Sequence, residues 1–481
     1  HLTQKSIPLL ALKSRVYVAK TRFARPELLT RTMCRGLVSH TNITRPDRSL
    51  PTILEKSSFP TMSPSTTCTR KQSFLTRSLA QRTVSFVESE VDKIMSSSSF
   101  LQSHEARSDV AALKRQEIQR GHLLGQGGFS EVYELAAVNL LLARDAEVAD
   151  HDAEPTAAHA AQEARESLAA SAAASSATSL VVKHLRQDLL ANRHRFQTAA
   201  ADLVMEAHFL ARLDHPNIIK LRGWTASGVS SLGQGQHDGF FLVMDQIDCT
   251  LAEKIQEWKY QDPKVPTKIS HRETKLRYAR ELASALEYLH ERRLVFRDLK
   301  PENVGILNDS IVLFDFGLCR ELPESSNLED QYEMSGVGTL RYMAPEILMH
   351  QKYNQKADIY SLSMVLYEMF FHSKPFELYS LNMFQLLVCE EQERPSIPSY
   401  CPAPLRDLLE DCWDPEPLDR PTVRTIRKSL KSKSWKPRLQ FLFGFSISHQ
   451  LQRSLSFGSS SENTNTTADE SSIGSWFVPN N

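Results

Sequence analysis

Two short stretches near the middle of this 481-residue chain leave few folds open to it. Leu294-Val295-Phe296-Arg297-Asp298-Leu299-Lys300-Pro301-Glu302-Asn303 is soon followed by Leu313-Phe314-Asp315-Phe316-Gly317. A carboxylate and a lysine two apart, then an amide and a second carboxylate, are parts for moving a phosphoryl group, because Asn and Asp offer Mg²⁺ hard oxygens. Asp298 is placed to accept a proton from an attacking hydroxyl, Lys300 to neutralise the moving group, and Asn303 with Asp315 to hold the metal. A helix-to-loop turn with solvated charges is the bland reading. It does not account for two such motifs in order at short range.

The two stretches resemble the catalytic loop and the metal-binding D-F-G of the eukaryotic protein kinases. The resemblance implies an α+β, two-lobed kinase fold over 115–431, with an antiparallel β-sheet N-lobe carrying one key helix and a mainly helical C-lobe. It also implies ATP and Mg²⁺ as cofactors and protein hydroxyls as acceptors. Other motifs fall in the family's order. Ile118 to Leu124 runs as an apolar strand into Gly125-Gln126-Gly127-Gly128-Phe129-Ser130-Glu131-Val132. Alone this is a hairpin turn, but Phe129 and Val132 make it similar to the kinase Gly-rich loop, whose backbone amides approach phosphates. Ser130 replaces the third glycine and should stiffen the loop slightly.

Ser179-Leu180-Val181-Val182-Lys183 is a strand ending in a lysine, which on its own reads as a snorkelling edge residue. From Phe196 to Leu213, apolar residues at helical spacing surround Glu206, and a glutamate on that side of a helix wants a cation. Lys183 and Glu206 match the family's ion pair that positions the ATP phosphates. Val181 stands where the family commonly has Ala facing adenine, which implies a tighter pocket. Phe240 to Asp245 reads as a buried strand emptying into a linker after a flexible segment, Thr225 to Gly239. In the resemblance Met244 guards the back of the nucleotide pocket and Asp245 opens the hinge.

The family's usual His before the Arg-Asp pair is Phe296 here, at a position the resemblance makes a packing post beneath the D-F-G phenylalanine. Arg297 resembles the Arg that reads activation-loop phosphorylation. Gly338 to Met343, closing at Ala344-Pro345-Glu346, resembles a Ser/Thr-type substrate platform in which Thr339 would bond Asp298 and Lys300. The resemblance puts an activating phosphate, from an upstream kinase or autophosphorylation, at Ser335, with Tyr332 and Ser325 as competitors. Asp358 should steady the catalytic loop, and Glu346 and Arg420 match a buried ion pair. Cys412-Trp413-Asp414-Pro415 resembles the tyrosine-kinase-like group in particular.

Composition bounds the rest. Lys and Arg balance Asp and Glu at 57 each, which argues against nucleic acid as the chief partner. No run approaches the ~20 apolar residues of a membrane span. Seven cysteines with no C-x-x-C pair fit a reduced compartment, so a soluble cytoplasmic protein is expected. Residues 1–114 are acid-poor and Ser/Thr-rich early on and should be disordered. A transit peptide is the alternative reading of that start, which begins with His rather than Met. Within it Val84 to Val87 and Val91 to Met95 suggest a short helix or strand, interrupted by Ser96 to Ser99. The Ala-rich insert at 137–178 reads equally as helix or mobile loop, and is expected to be an inert expansion at a hairpin tip, costing only about 2 kcal/mol in closure entropy. The tail, 432–481, returns to Ser, Asn and Thr, with an apolar cluster at Leu439 to Phe445 and a Ser pattern at Arg453 to Ser456. A pseudokinase scaffold should have lost one of Lys183, Asp298, Asn303 or Asp315, and none is lost. A small-molecule kinase usually lacks the Gly338-to-Glu346 platform.

Overall fold

The computed structural model describes residues 67–141, 155–174, 179–261, 270–324, 327 and 329–431. Helices α1 (Thr67–Ser97) and α2 (Ser99–Ser103) come first. Strands β1 (Ala111–Leu113), β2 (Ile118–Gln126), β3 (Ser130–Val138), β4 (Leu180–Leu185), β5 (Leu221–Thr225) and β6 (Phe241–Asp245) then form one sheet in the order β1-β5-β6-β4-β3-β2. All neighbours pair antiparallel except β1, which joins the edge of β5 in parallel.

Both faces of this sheet are covered, which is why β4 and β6 read as continuous apolar runs rather than alternating ones. Val181, Leu185, Leu242 and Met244 face helix α4 (Arg193–Leu210) and the main core. Leu180, Val182, Phe241 and Val243 face the opposite way, where helix α3 (Pro155–Ala173) lays Ala164 and Leu168 over them. The insert is therefore not inert. Its helix closes the outer face of the sheet, and Arg165 reaches past it to Glu117 at 2.6 Å and to the Ala112 carbonyl at 2.6 Å. Glu117 is fully buried. Arg165→Ala leaves that carboxylate with backbone donors only, from Lys114 and Leu141. The expected loss is about 1–3 kcal/mol in chemical denaturation, and an unchanged midpoint would mean that α3 does not hold its place.

The N-terminal expectation is corrected in the same way. Residues 1–66 lie outside the described residues, but the stretch expected to be disordered up to 114 contains α1, α2 and β1. Val84, Val87 and Val91 recur at helical spacing and are buried, so tertiary packing supplies the stability that the acid-poor composition seemed to lack. The segment expected to be flexible after β5 carries a 3₁₀ turn, Gly228–Gln234, with Leu232 buried. The insert's flanks at 142–154 and 175–178 and the tail at 432–481, with its apolar cluster and Ser pattern, lie outside the described residues.

The larger lobe follows strand β7 (Cys249–Thr250) and consists mainly of helices α5 (Leu251–Gln261), α6 (Arg272–His290), α7 (Pro345–Leu348), α8 (Lys356–Phe371), α9 (Leu381–Met383), α10 (Ala403–Cys412) and α11 (Val423–Lys431). Helix α8 is buried at every residue from Ala357 to Phe371 and is the centre of this lobe. Short strands β8 (Leu294–Val295), β9 (Val304–Leu307), β10 (Ser310–Leu313) and β11 (Arg320–Glu321) carry the two chemistry-bearing stretches. The β9–β10 hairpin ends at D-F-G, and β8 leads into the loop holding Asp298, with β11 paired against it. No described helix is long and apolar enough to cross a membrane. The five described cysteines, 249, 319, 389, 401 and 412, are free thiols.

Candidate active site

The loop after β8 is fixed from below by one buried carboxylate. Asp358, on the first turn of α8, accepts the amides of Phe296 and Arg297, each at 2.9 Å, and also meets His290 Nε2 at 2.9 Å. Arg297 takes a positive φ of 71°, which turns the chain sharply ahead of Asp298. Phe296 is fully buried and meets the D-F-G ring of Phe316 edge-on, with centroids 5.1 Å apart. The packing expected of this position is what the structure has.

Around Asp298 the side chains form a closed polar set. Lys300 Nζ donates to Asp298 Oδ2 at 2.5 Å and to Thr339 Oγ1 at 3.0 Å. Thr339 Oγ1 in turn donates to Asp298 Oδ1 at 2.8 Å. Asn303 Nδ2 donates to the backbone and side-chain oxygens of Asp298 at 2.9 and 3.0 Å, which leaves its own Oδ1 as an acceptor oxygen. The Phe314 amide donates to the Asn303 carbonyl at 3.1 Å, so the segments bearing Asn303 and Asp315 run side by side. One neutral amide oxygen and one carboxylate are a donor set that fits Mg²⁺, which otherwise keeps waters and phosphate oxygens.

The upper wall comes from β4 and α4. Lys183 Nζ donates to both oxygens of Glu206, at 2.8 and 2.6 Å, and to Asp315 Oδ1 at 3.0 Å. Burial works against charge on Lys183, but Asp315 and Glu206 outweigh it and hold the ammonium well above its ordinary value. Burial pushes Glu206 upward while Lys183 pulls it back. Two short donations onto two oxygens fit the ionised carboxylate, so the pair stands as ammonium and carboxylate. Desolvation would raise Asp315, yet Lys183 and Lys300 hold it below the usual carboxylate range. Lys300 is raised: desolvation opposes its charge and Asp298 more than restores it.

The other expected residues lie on the adjoining strands and the glycine turn. Val132 lies opposite Lys183 in the β3–β4 register, and Val181 lies opposite Met244 in β4–β6. The carboxylate of Asp245 is taken up by Arg222 at 2.7 and 3.1 Å, so its side chain is not free for a nucleotide. In the glycine turn, the Gly127 amide is spent on the Ser130 carbonyl at 2.8 Å, closing the hairpin. A side chain at Gly125 or Gly128 would meet nothing within 4 Å, so both face open space. Gln126 is exposed and donates to Glu131 at 2.9 Å.

Between D-F-G and Glu346, Ser335 Oγ accepts from Arg297 Nη1 at 3.3 Å, and the same nitrogen approaches Tyr353 Oη at 3.3 Å. Tyr332 pairs with Tyr353 through backbone bonds, and Ser325 lies outside the described residues. Glu346 and Arg420 form a buried bidentate pair at 2.7 and 2.9 Å. Outside the cleft, Glu131, His184 and His237 come together on the sheet. Both ring nitrogens of His184 are already engaged, Nδ1 with the Leu185 carbonyl at 2.9 Å and Nε2 with Arg120 at 2.8 Å. A contact near the site that sequence reasoning missed is Glu321, just past D-F-G, which bonds the start of α2. Its only signal was the apolar stripe of α1, read there as a short interrupted element.

A family model described as "Protein kinase domain" matches residues 169–432, more than half of the chain. The glycine hairpin precedes that stretch, which begins within the insert. The dual specificity protein kinase shkC of Dictyostelium discoideum is 32% identical over 229 residues, covering 47% of this chain and 42% of that protein. The serine/threonine-protein kinase VIK of Arabidopsis thaliana is 31% identical over 261 residues, 53% of this chain and 54% of that one. A putative mitogen-activated protein kinase kinase kinase 7-like protein of Drosophila melanogaster is 30% identical over 244 residues, 49% and 56% of the two chains. The matched part of the chain thus spans between two fifths and just over half of these relatives' lengths.

Proposed function

Since the chain belongs to the protein kinase family, we propose that it transfers the γ-phosphoryl group of ATP to Ser and Thr hydroxyls of protein substrates. The observation that carries this reading is the closed set of Asp298, Lys300 and Thr339. Asp298 accepts the hydrogen bond of the incoming hydroxyl and takes its proton as the new O–P bond forms and the bond to the leaving ADP oxygen breaks. Lys300, kept charged by Asp298, sits where negative charge gathers on the transferred group. Thr339 ties the substrate platform to that carboxylate, which favours aliphatic hydroxyls over phenols. Lys183, steadied by Glu206, positions the nucleotide phosphates beneath the turn at Gly125–Gly128, while Val132, Val181, Met244 and the Asp245 backbone bound the base. When bound, Mg²⁺ at Asn303 and Asp315 would neutralise phosphate charge. Incubation with MgATP and a degenerate Ser/Thr/Tyr peptide library tests the specificity. Phosphoserine and phosphothreonine are expected, and phosphotyrosine alone would overturn it.

Activation-loop control belongs to the same reading, whether the phosphate comes from an upstream kinase or from the chain itself. A phosphate on Ser335 brings close to two negative charges to Arg297, already within 3.3 Å of that hydroxyl, and makes charge-assisted bonds that order the platform. Ser335→Ala should lower activity about tenfold, the factor that one such contact of about 1.4 kcal/mol carries. Arg297→Ala should erase the difference between phosphorylated and dephosphorylated protein. Mass spectrometry followed by phosphatase treatment and assay decides it: full activity with no phosphate between Asp315 and Glu346 rules the switch out.

A further inference from the structure

We propose that residues 80–107 are a clamp built into the enzyme, which holds α4 and the Lys183–Glu206 pair in the arrangement that transfer needs, with Glu321 as its latch. The proposal rests on the kinase reading and assigns that site a positioning element outside the lobes.

Three sets of contacts carry it. Ala80, Val84, Val87 and Val91 form one buried face of α1, set against α4 and the 3₁₀ turn at Gly228–Gln234. The Val84 Cγ2 atom would stand 3.4 Å from a Cβ at Gly233, and Gln197 of α4 donates to the Arg82 carbonyl at 3.4 Å. At the other end of α4, Phe100 stacks on Phe209 with centroids 6.4 Å apart. Arg107 donates to the carbonyls of Leu210 and Leu221 at 3.2 and 2.8 Å, and also to that of Leu213. Arg212 answers by donating to the His104 carbonyl at 2.7 Å. The N-terminal segment thus grips α4 along its length and at its C-terminal end.

The third set is the latch. Ser99 Oγ donates to Glu321 Oε1 at 2.6 Å and the Phe100 amide to Oε2 at 2.9 Å, with Ser98 Oγ on the same carboxylate. Glu321 lies in β11, shortly after the D-F-G turn, which also packs against α4. There a Cβ at Gly317 would stand 3.1 Å from the Asp202 carbonyl, so D-F-G and α4 have no slack between them. Helix α4 is therefore in contact with both α1 and D-F-G, and Glu321 joins the segments that bear them. Because the Lys183–Glu206 pair is formed in this arrangement, the clamp favours the active one. A segment that binds one arrangement better than its alternatives shifts the population toward it.

The test uses the full chain. Hydrogen exchange along α4 is measured against α6 in the other lobe, and kcat/KM for ATP is measured in parallel. Glu321→Ala and Val87→Asp should each speed α4 exchange and lower kcat/KM at least tenfold, with α6 unchanged, whereas a general loss of stability would move α6 too. Unchanged α4 exchange in Glu321→Ala, or a loosened α4 with wild-type kcat/KM, overturns the clamp. If Val87→Asp fails to fold, the half-buried Glu321 still carries the comparison. The wild-type rate, measured first, reports on the kinase reading alone, and α4 exchange judges the clamp whatever that rate is.

Discussion

Asp298→Asn, Asp315→Ala and Lys183→Met are each expected to cut phosphoryl transfer by about 10² to 10³, the usual cost of removing one preorganised group at a developing charge. Their stabilities should differ, and that difference checks the geometry. Lys300 and Asn303 keep partners besides the Asp298 carboxylate, and Lys183 stays paired with Glu206 when Asp315 is removed, so the thermal transitions of those two variants should stay near wild type. Lys183 is the partner of a carboxylate that is 2% exposed. Breaking a buried pair from one side typically costs about 3–5 kcal/mol. Here the loss should fall below that range at acidic pH, because burial raises Glu206 and, without Lys183 to pull it back, the orphaned carboxyl can take up a proton. The measurement is a steady-state rate together with thermal unfolding at two pH values. Full turnover in all three variants would remove the catalytic assignment.

Phe296→Ala should cost about 3–5 kcal/mol, the range for deleting a fully buried aromatic side chain. The ring has no exposed surface, and its edge-on partner Phe316 belongs to D-F-G, so the cavity opens under that segment. Phe296→His keeps a flat ring in that space and should lose far less stability and retain most of the activity. Denaturant unfolding of the two variants separates packing from chemistry. An Ala variant as stable and active as wild type would sink the packing role.

The make-up of the candidate site was legible in the sequence because its two motifs gather a few residue types at short spacings. Asp298, Lys300, Asn303 and Asp315 could be read together, and the Glu206 among apolar helix positions announced its need for Lys183. What escaped depends on distant partners. Helix α3 is Ala-rich, with no stripe strong enough to reveal that Ala164 and Leu168 cap a sheet face. Helix α1 carries Val84, Val87 and Val91, but a serine run follows, and nothing local says that Ser99 bonds a carboxylate 222 positions away. Asp245 was expected at the hinge, while its side chain goes to Arg222, a pairing between strands that the linear order hides. The parallel edge strand β1 is three residues long and pairs with β5 across the whole β2-to-α4 stretch.

Transfer of label from γ-labelled MgATP to a mixed Ser/Thr peptide pool, run with the full chain beside its Asp298→Asn variant, bears most directly on the central claim. The expected result is label on peptide Ser and Thr with the wild-type chain and about 10² to 10³ less with the variant. Equal label from both, or none from the wild-type chain, would contradict it.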